Sequence, residues 1–278
     1  MLVKNKLNSA LLVFMHVLVF DSGVGGLSVV AELRALMPDI YMSYVADDAF
    51  RPYGNKTEAQ LKGRLPGLLQ TLVLAVKPDV VVIACNTAST TALSEIRGVV
   101  QIPVIGVVPA IKPAAQMSKS KTIAVLGTPG TVKRKYVDEL ISDFGNNCRV
   151  ILHGSTGLVE LAEQKLSGLD IDRYEVAAEI SPMFEATDGN DIDVVVLACT
   201  HFPLLLHELK FAAPHSVNWV DSGSAIARRT QSVLEDLTLD APPNHPQTAL
   251  LIGGHNNIDR AKMFKGFGFV KTVALPAF

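Results

Sequence analysis

The stretch Val80–Ser89 reads VVVIACNTAS, and Val194–Pro203 reads VVVLACTHFP. Each is a run of apolar, mostly branched residues ending on a cysteine, followed at once by small or polar residues suited to opening a helix. An apolar run without alternation is the pattern of a strand covered on both faces, as in a parallel sheet. The two stretches superimpose at a constant separation of 114 residues, from Cys85 to Cys199 (199 − 85). Outward from them, PVIGV at Pro103 and VNWVD at Val217 keep the same separation (217 − 103). FDSG at Phe20 corresponds more loosely to LGTPG at Leu126, each a strand entering a glycine-containing turn. Three segments in one order predict two copies of one βα plan.

The rest of the chain fits that plan. Further strands are expected at His16–Phe20, Tyr41–Val45, Val104–Val107, Thr122–Leu126, Arg149–His153, Val217–Val220 and Ala249–Ile252, beside Val80–Ala84 and Val194–Ala198. Helical spacing lies between them, as in Leu27, Val30, Leu33, Leu36 and Met37 ahead of Pro38, and in Leu158, Leu161, Ala162 and Leu166 ahead of Gly168. The expected fold class is α/β, with two pseudo-symmetric domains, mainly parallel sheets and an active site in the interdomain cleft. The boundary falls near Pro109. Residues 1–109 with 224–278 form the first domain and 110–223 the second, because the strand at Ala249–Ile252 needs a sheet to join.

A chain of 278 residues, 49% of them hydrophobic, can fill a substantial core. Its formal net charge of −2 offers no global attraction for nucleic acid or an anionic membrane, so neither is an expected partner. Lys133-Arg134-Lys135 reads as a solvated helix face. The segment Ala10–Phe20 follows Lys4 and Lys6 and imitates a secretion signal, but it is too short to span a bilayer. It also runs into DSGVGG, so cleavage there would remove the first core strand. Met1–Met15 therefore reads as an N-terminal extension. Cys85, Cys148 and Cys199 are far apart with no CxxC, which fits a reducing cytoplasm better than a disulfide framework.

Cys85 closes its strand, with Asn86 or Thr87 as the expected N-cap of a helix through Ala92, Leu93 and Ile96. Amides and the positive helix end favour thiolate there, which matters because an unperturbed thiol with a pKa of about 8.5 is barely ionised at neutral pH. Cys199 closes the matching strand. Pro203 suits the next helix's first turn, and His201 can polarise the thiol. Two such sulfurs in one cleft can take a proton from an amino-acid α-carbon on one face and return one on the other. Asp21 and Ser22 end the first strand ahead of Gly23, Gly25 and Gly26. Asp21 can orient a proton near Cys85, accept a substrate ammonium, or cap the next helix. The glycines do not make a phosphate loop, lacking both GK[ST] and a full GxGxxG. In RPYGNKTE, Pro52 and Gly54 fix a turn from which Tyr53 can point its hydroxyl into a cleft or lie on an ordinary surface. Glu160 opens a helix, where a plain surface carboxylate is the ordinary reading. Cys148 carries no assigned role.

The set VFDSGVGGL, PYGNK, ACNTAS, LVE and CTHFPLL, running from His16 to Ser224, closely resembles the glutamate racemases of the aspartate/glutamate racemase superfamily. The resemblance implies interconversion of L- and D-glutamate with no cofactor, neither pyridoxal phosphate nor metal, to supply D-glutamate for peptidoglycan. It implies Cys85 and Cys199 as the proton donor and acceptor, with Asp21, His201 and Glu160 as supporting acids and bases. It also implies Asp21, Ser22, Tyr53, Gly54, Asn86, Thr87, Thr200 and His201 as substrate contacts, and a homodimer. The stretch DDAFRPYGNK departs from the usual GDTARxPYG and looks like the branch in which a peptidoglycan precursor activates the enzyme; Asp47 and Asp48 take no role from the pattern. ACTH replaces the commoner GCTH. Three alternatives stay open: a related racemase for aspartate or another amino acid, a zinc protein using Cys85, Cys199 and His201 despite poor ligand spacing, and a binding protein without turnover. Cys85→Ser and Cys199→Ser are each expected to abolish racemisation, followed polarimetrically, while Cys148→Ser keeps it; full activity in either of the first two removes the two-base reading.

Overall fold

A strand that is apolar at every position has to bury both faces. In the computed structural model, which describes residues 15–237, 246–254 and 258–277, the apolar runs do so in two sheets. The first sheet contains β1 (His16–Asp21), β2 (Tyr41–Ala46), β3 (Val80–Ile83), β4 (Val104–Gly106), β9 (Thr248–Ile252) and β10 (Lys271–Leu275), in the order β10-β9-β2-β1-β3-β4. The second contains β5 (Thr122–Gly127), β6 (Arg149–Gly154), β7 (Val194–Ala198) and β8 (Asn218–Val220), in the order β6-β5-β7-β8. Every neighbouring pair is parallel.

The repeat seen in the sequence is therefore a repeat of topology. The order β2-β1-β3-β4 recurs as β6-β5-β7-β8. β1 and β5 begin 106 residues apart (122 − 16), whereas β3 and β7 begin 114 apart (194 − 80), so the second copy carries extra chain between these strands.

Alternate residues of one strand feed different cores. Val17 and Val19 of β1 pack with α1 (Leu27–Leu36) and α9 (Gly223–Glu235), while Leu18 and Phe20 pack with α2 (Glu58–Val76) and α3 (Asn86–Val99). In β7, Val195 and Leu197 face α7 (Gly157–Leu166) and α8 (Arg173–Glu185). Val194 and Val196 face α4 (Ile111–Met117) and α6 (Lys135–Phe144). Helices thus cover both faces of each sheet, which leaves the carboxyl ends of the strands as the open edge where a ligand can enter.

The expected strands are all present, with ends shifted by a residue at most. β10 was not foreseen; its run KTVAL is short and sits beside Pro276, yet it pairs along β9, which itself pairs with β2. The helix after β3 begins at Asn86, so the N-cap position belongs to Cys85 itself (φ −141°, ψ 115°) rather than to Asn86 or Thr87. Except for Met15, the proposed N-terminal extension lies outside the described residues. Among the described residues, no helix is long and apolar enough to cross a membrane. Docking of the tail is testable. Leu251 on β9 is fully buried, and Leu251→Ala is expected to lower stability by about 2–5 kcal/mol in urea unfolding; a change near zero would mean that the tail does not share the first core.

Candidate active site

Parallel strands bring their carboxyl ends to one edge, and β3 and β7 each end on a cysteine. Both thiols line a single cleft of about 170 Å³. Asp21, Ser22, Tyr53, Gly54, Asn86 and Thr87 line it from the first-sheet side. Glu160, Thr200 and His201 line it from the second-sheet side. Every site residue read from the sequence thus borders the same space. Thr128, at the start of α5 (Pro129–Val132), joins them.

The first-sheet side begins with Asp21. The turn DSGVGG folds back on its carboxylate, so that Ser22 N–H and Gly26 N–H each donate to it at 2.7 Å. Capping of the turn is therefore part of what Asp21 does. Burial pushes its carboxyl above the ordinary value, against the opposing pull of His201 and the two amides. Ser22 Oγ lies 3.8 Å from Cys85 Sγ. Burial, helped by the charge of Asp21, pushes the Cys85 thiol well up, although the Ala88 amide at the opening of α3 favours the anion. Desolvation outweighs the helix end here, the reverse of what helix position alone implies. Cys85 is thereby held as a thiol.

The second-sheet side is organised around His201. Its Nδ1 lies 3.8 Å from Cys199 Sγ, and its Nε2 lies 3.6 Å from Glu163 Oε1. Nε2 is buried with no hydrogen-bond partner, so the Glu163 contact is an ion pair just beyond hydrogen-bond length. Burial alone would lower the imidazole pKa, but Cys199, Glu163 and Asp21 together raise it to about 10. Glu163 moves the other way: against its partial burial, His201 and Arg51 hold it at about 2. Imidazolium and carboxylate therefore coexist across the neutral range.

One expectation needs correction, and one carboxylate lies beyond those expected. The Tyr53 hydroxyl does not offer itself to the cleft, because it donates to Asp47 at 2.6 Å. The Asp47 carboxylate is buried and is also gripped by Arg64 Nε and Nη2, each at 2.7 Å. The ring of Tyr53 is thereby fixed as part of the wall. Glu160 is an exposed residue bordering the cleft, and the carboxylate paired with His201 is Glu163. The two lie three residues apart in α7, on one helix face, and that spacing is the one signal by which the sequence could have pointed to Glu163. Asn86, which lines the cleft, has its Nδ2 buried without a partner. Thr87 Oγ1 is instead bound to Thr131 Oγ1 at 2.9 Å. Among the described residues, no three His, Cys, Asp or Glu side chains converge as metal ligands.

Glycine lets the two sides meet. A Cβ at Gly25 would stand 2.3 Å from His201 Nδ1, and one at Gly130 would stand 2.3 Å from the carbonyl oxygen of Gly54. Ser28 Oγ donates to the Thr200 carbonyl at 2.7 Å, binding α1 to the turn that carries His201.

A duplicated α/β fold with one thiol from each copy in a shared cleft defines the class of two-lobed α/β racemases. Residues 27–230 match the Asp/Glu/hydantoin racemase family, and the chain belongs to that family. It is 44% identical over 254 residues to the glutamate racemase of Brucella anthropi, covering 91% of each chain. It is 50% identical over 220 residues to that of Shewanella sp. strain MR-7, covering 79% of each. Among solved structures, Escherichia coli glutamate racemase in complex with L-glutamate and the activator UDP-MurNAc-Ala superposes with a TM-score of 0.87 at 40% identity, over 95% of this chain and 99% of that one.

The contact at Gly25 gives a direct check. Gly25→Ala is expected to displace the His201 ring and lower kcat by about 100-fold, with a stability loss of about 1–3 kcal/mol in urea unfolding. Unchanged kcat would show that the close approach is not needed for turnover.

Proposed function

We propose that this chain interconverts L- and D-glutamate through Cys85 and Cys199, without a cofactor, and so supplies D-glutamate for peptidoglycan. The observation that carries the reading is the pair of thiols in one cleft, each with its own ionisable neighbour. One sulfur, as thiolate, takes the proton from the α-carbon, and the other, as thiol, delivers its proton to the opposite face. The carbon keeps its four bonds with inverted configuration, and the two sulfurs have exchanged protonation states. The reverse reaction starts from that exchanged state.

The neighbours suit this division. Asp21 and Ser22 serve Cys85, and His201 serves Cys199. The buried amide of Asn86, with Thr200 beside it, offers donors for a substrate carboxylate, and Asp21 offers charge for the ammonium. Tyr53, Gly54 and Thr87 shape the wall, while Glu160 stands where a side-chain group could meet it. The identity to the Brucella anthropi and Shewanella enzymes supports glutamate as substrate. The E. coli complex supports activation by a peptidoglycan precursor. On this reading the chain divides into residues 1–109 with 224–278 and residues 110–223, and works in the cytoplasm as a homodimer.

Turnover requires one thiol and one thiolate, so kcat/KM is expected to be bell-shaped in pH. Because burial raises Cys85, it keeps its proton to higher pH, and the alkaline limb should lie above the ordinary thiol range of about 8.5. A flat profile from neutral to alkaline pH would contradict the assignment. Substrate is tested by incubating a panel of amino acids in D2O and following deuterium at the α-carbon by NMR. Glutamate should exchange fastest; exchange of aspartate with none of glutamate would overturn the substrate, and no exchange at all would leave a binding protein.

A further inference from the structure

His201 Nε2 is a buried donor whose facing group, Glu163, comes from α7, while the other oxygen of Glu163 is held by a residue from the opposite half. Arg51 Nη1 contacts Glu163 Oε2 at 2.6 Å. Arg51 precedes Pro52, Tyr53 and Gly54, which border the cleft from the first-sheet side. On its own side it is steadied by Asp48 (Arg51 Nε to Oδ1, 3.6 Å), which also binds Arg260 at 2.5 Å. A continuous line of ionisable groups therefore runs from Arg260 through Asp48, Arg51 and Glu163 to His201 and Cys199, and it crosses between the two halves once, at Arg51–Glu163.

We propose that Glu163 is a positioning residue that sets the ring of His201 for proton exchange with Cys199, and that Arg51 is the latch which makes this setting depend on closure of the two halves. The inference rests on the racemase reading given above. Glu163 differs from an ordinary surface carboxylate in that its side chain is 30% exposed and one oxygen faces a ring that is 6% exposed. Water competes poorly for such a pair. The groups facing His201 are Cys199 from its own turn, Glu163 from α7 and Asp21 from β1, with Cys85 on the same cleft wall. Asp21 is already bound by two amides of its own turn, so Glu163 is the carboxylate free to hold Nε2. When the halves part, Arg51 withdraws, Glu163 can turn to solvent, and His201 loses its fixed orientation. Closure over substrate restores it, so the relay is complete only with the cleft shut.

The test follows His201 directly. In the full-length chain carrying ¹⁵N-labelled histidine, its resonance is assigned by its loss in His201→Gln and followed by NMR through a pH titration. Removing the negative charge of Glu163 destabilises the imidazolium, so Glu163→Gln should move the midpoint from about 10 down toward the ordinary 6.5 and lower kcat by about 10- to 100-fold, with KM altered as well because the Arg51 contact is lost with the same carboxylate. Arg51→Gln, a change at a surface side chain that spares folding, should alter kcat and KM together, as hinge and latch changes do. The double variant should be no slower than Glu163→Gln, because both act through one contact. An unmoved His201 titration with parental kcat in Glu163→Gln, or fully additive losses in the double variant, would overturn the proposal. The titration reads the contact whatever amino acid is turned over, so a parent inactive on glutamate but with His201 shifted as stated would fault the substrate alone.

Discussion

The cleft depends on a steric constraint: two strand-to-helix turns from different halves approach closer than any side chain at Gly25 would allow. The ring of His201 occupies the space that a Cβ there would need, and Gly130 likewise leaves room for the backbone at Gly54. Bare backbone at these points brings the carboxyl end of β1 against the turn after β7. Asp21, Cys85, Cys199 and His201 then share one desolvated space, where charges act on one another far more strongly than in water. Burial raises Asp21 and the Cys85 thiol, while Cys199 and Glu163, with a smaller contribution from Asp21 across the approach, raise the imidazole.

Symmetry places the sulfurs, and departures from symmetry distinguish them. Thr87 is the counterpart of His201 at the 114-residue offset (201 − 87), and Gly127 is the counterpart of Asp21 at the 106-residue offset of β1 and β5 (127 − 21). Each half therefore keeps one ionisable helper and has lost the other. Cys85 lies beside a buried carboxyl and hydroxyl, and Cys199 beside an imidazolium. The enantiomers of an amino acid have equal free energy, so an enzyme for both directions needs two competent faces, not two identical ones. Unequal environments can meet that need provided one sulfur holds the proton that the other lacks.

The parts legible in the sequence were those set by local pattern. Buried parallel strands leave unalternating apolar runs, so nine strands and the repeat could be read, and Cys85 and Cys199 with them. Ala249–Ile252 announced that the tail must reach a sheet, while Lys271–Leu275 did not, because an edge strand exposed at Lys271 and Ala274 lacks the continuous apolar run. What depended on partners distant in the chain was hidden. Tyr53 lost its hydroxyl to Asp47, which a turn motif cannot reveal. Glu163 meets His201 across 38 residues (201 − 163) and Arg51 across 112, so the recognisable motif, which holds Glu160, gave no sign of those contacts. The position of Cys85 at the helix start suggested a lowered pKa, yet full burial carried it upward, because desolvation depends on everything packed around the sulfur and not on its own turn.

The claim that two sulfurs act on opposite faces of one carbon is tested most directly by isotope partition early in the reaction. L-glutamate and D-glutamate are incubated separately with enzyme in D2O, and the α-position of both product and unreacted substrate is read by mass spectrometry at low conversion. Separate acid and base groups require the product to carry deuterium while the remaining substrate keeps protium, from either starting enantiomer. Protium carried over into the product, or deuterium appearing equally in product and recovered substrate, would mean that a single group serves both faces and would contradict the paired-thiol site.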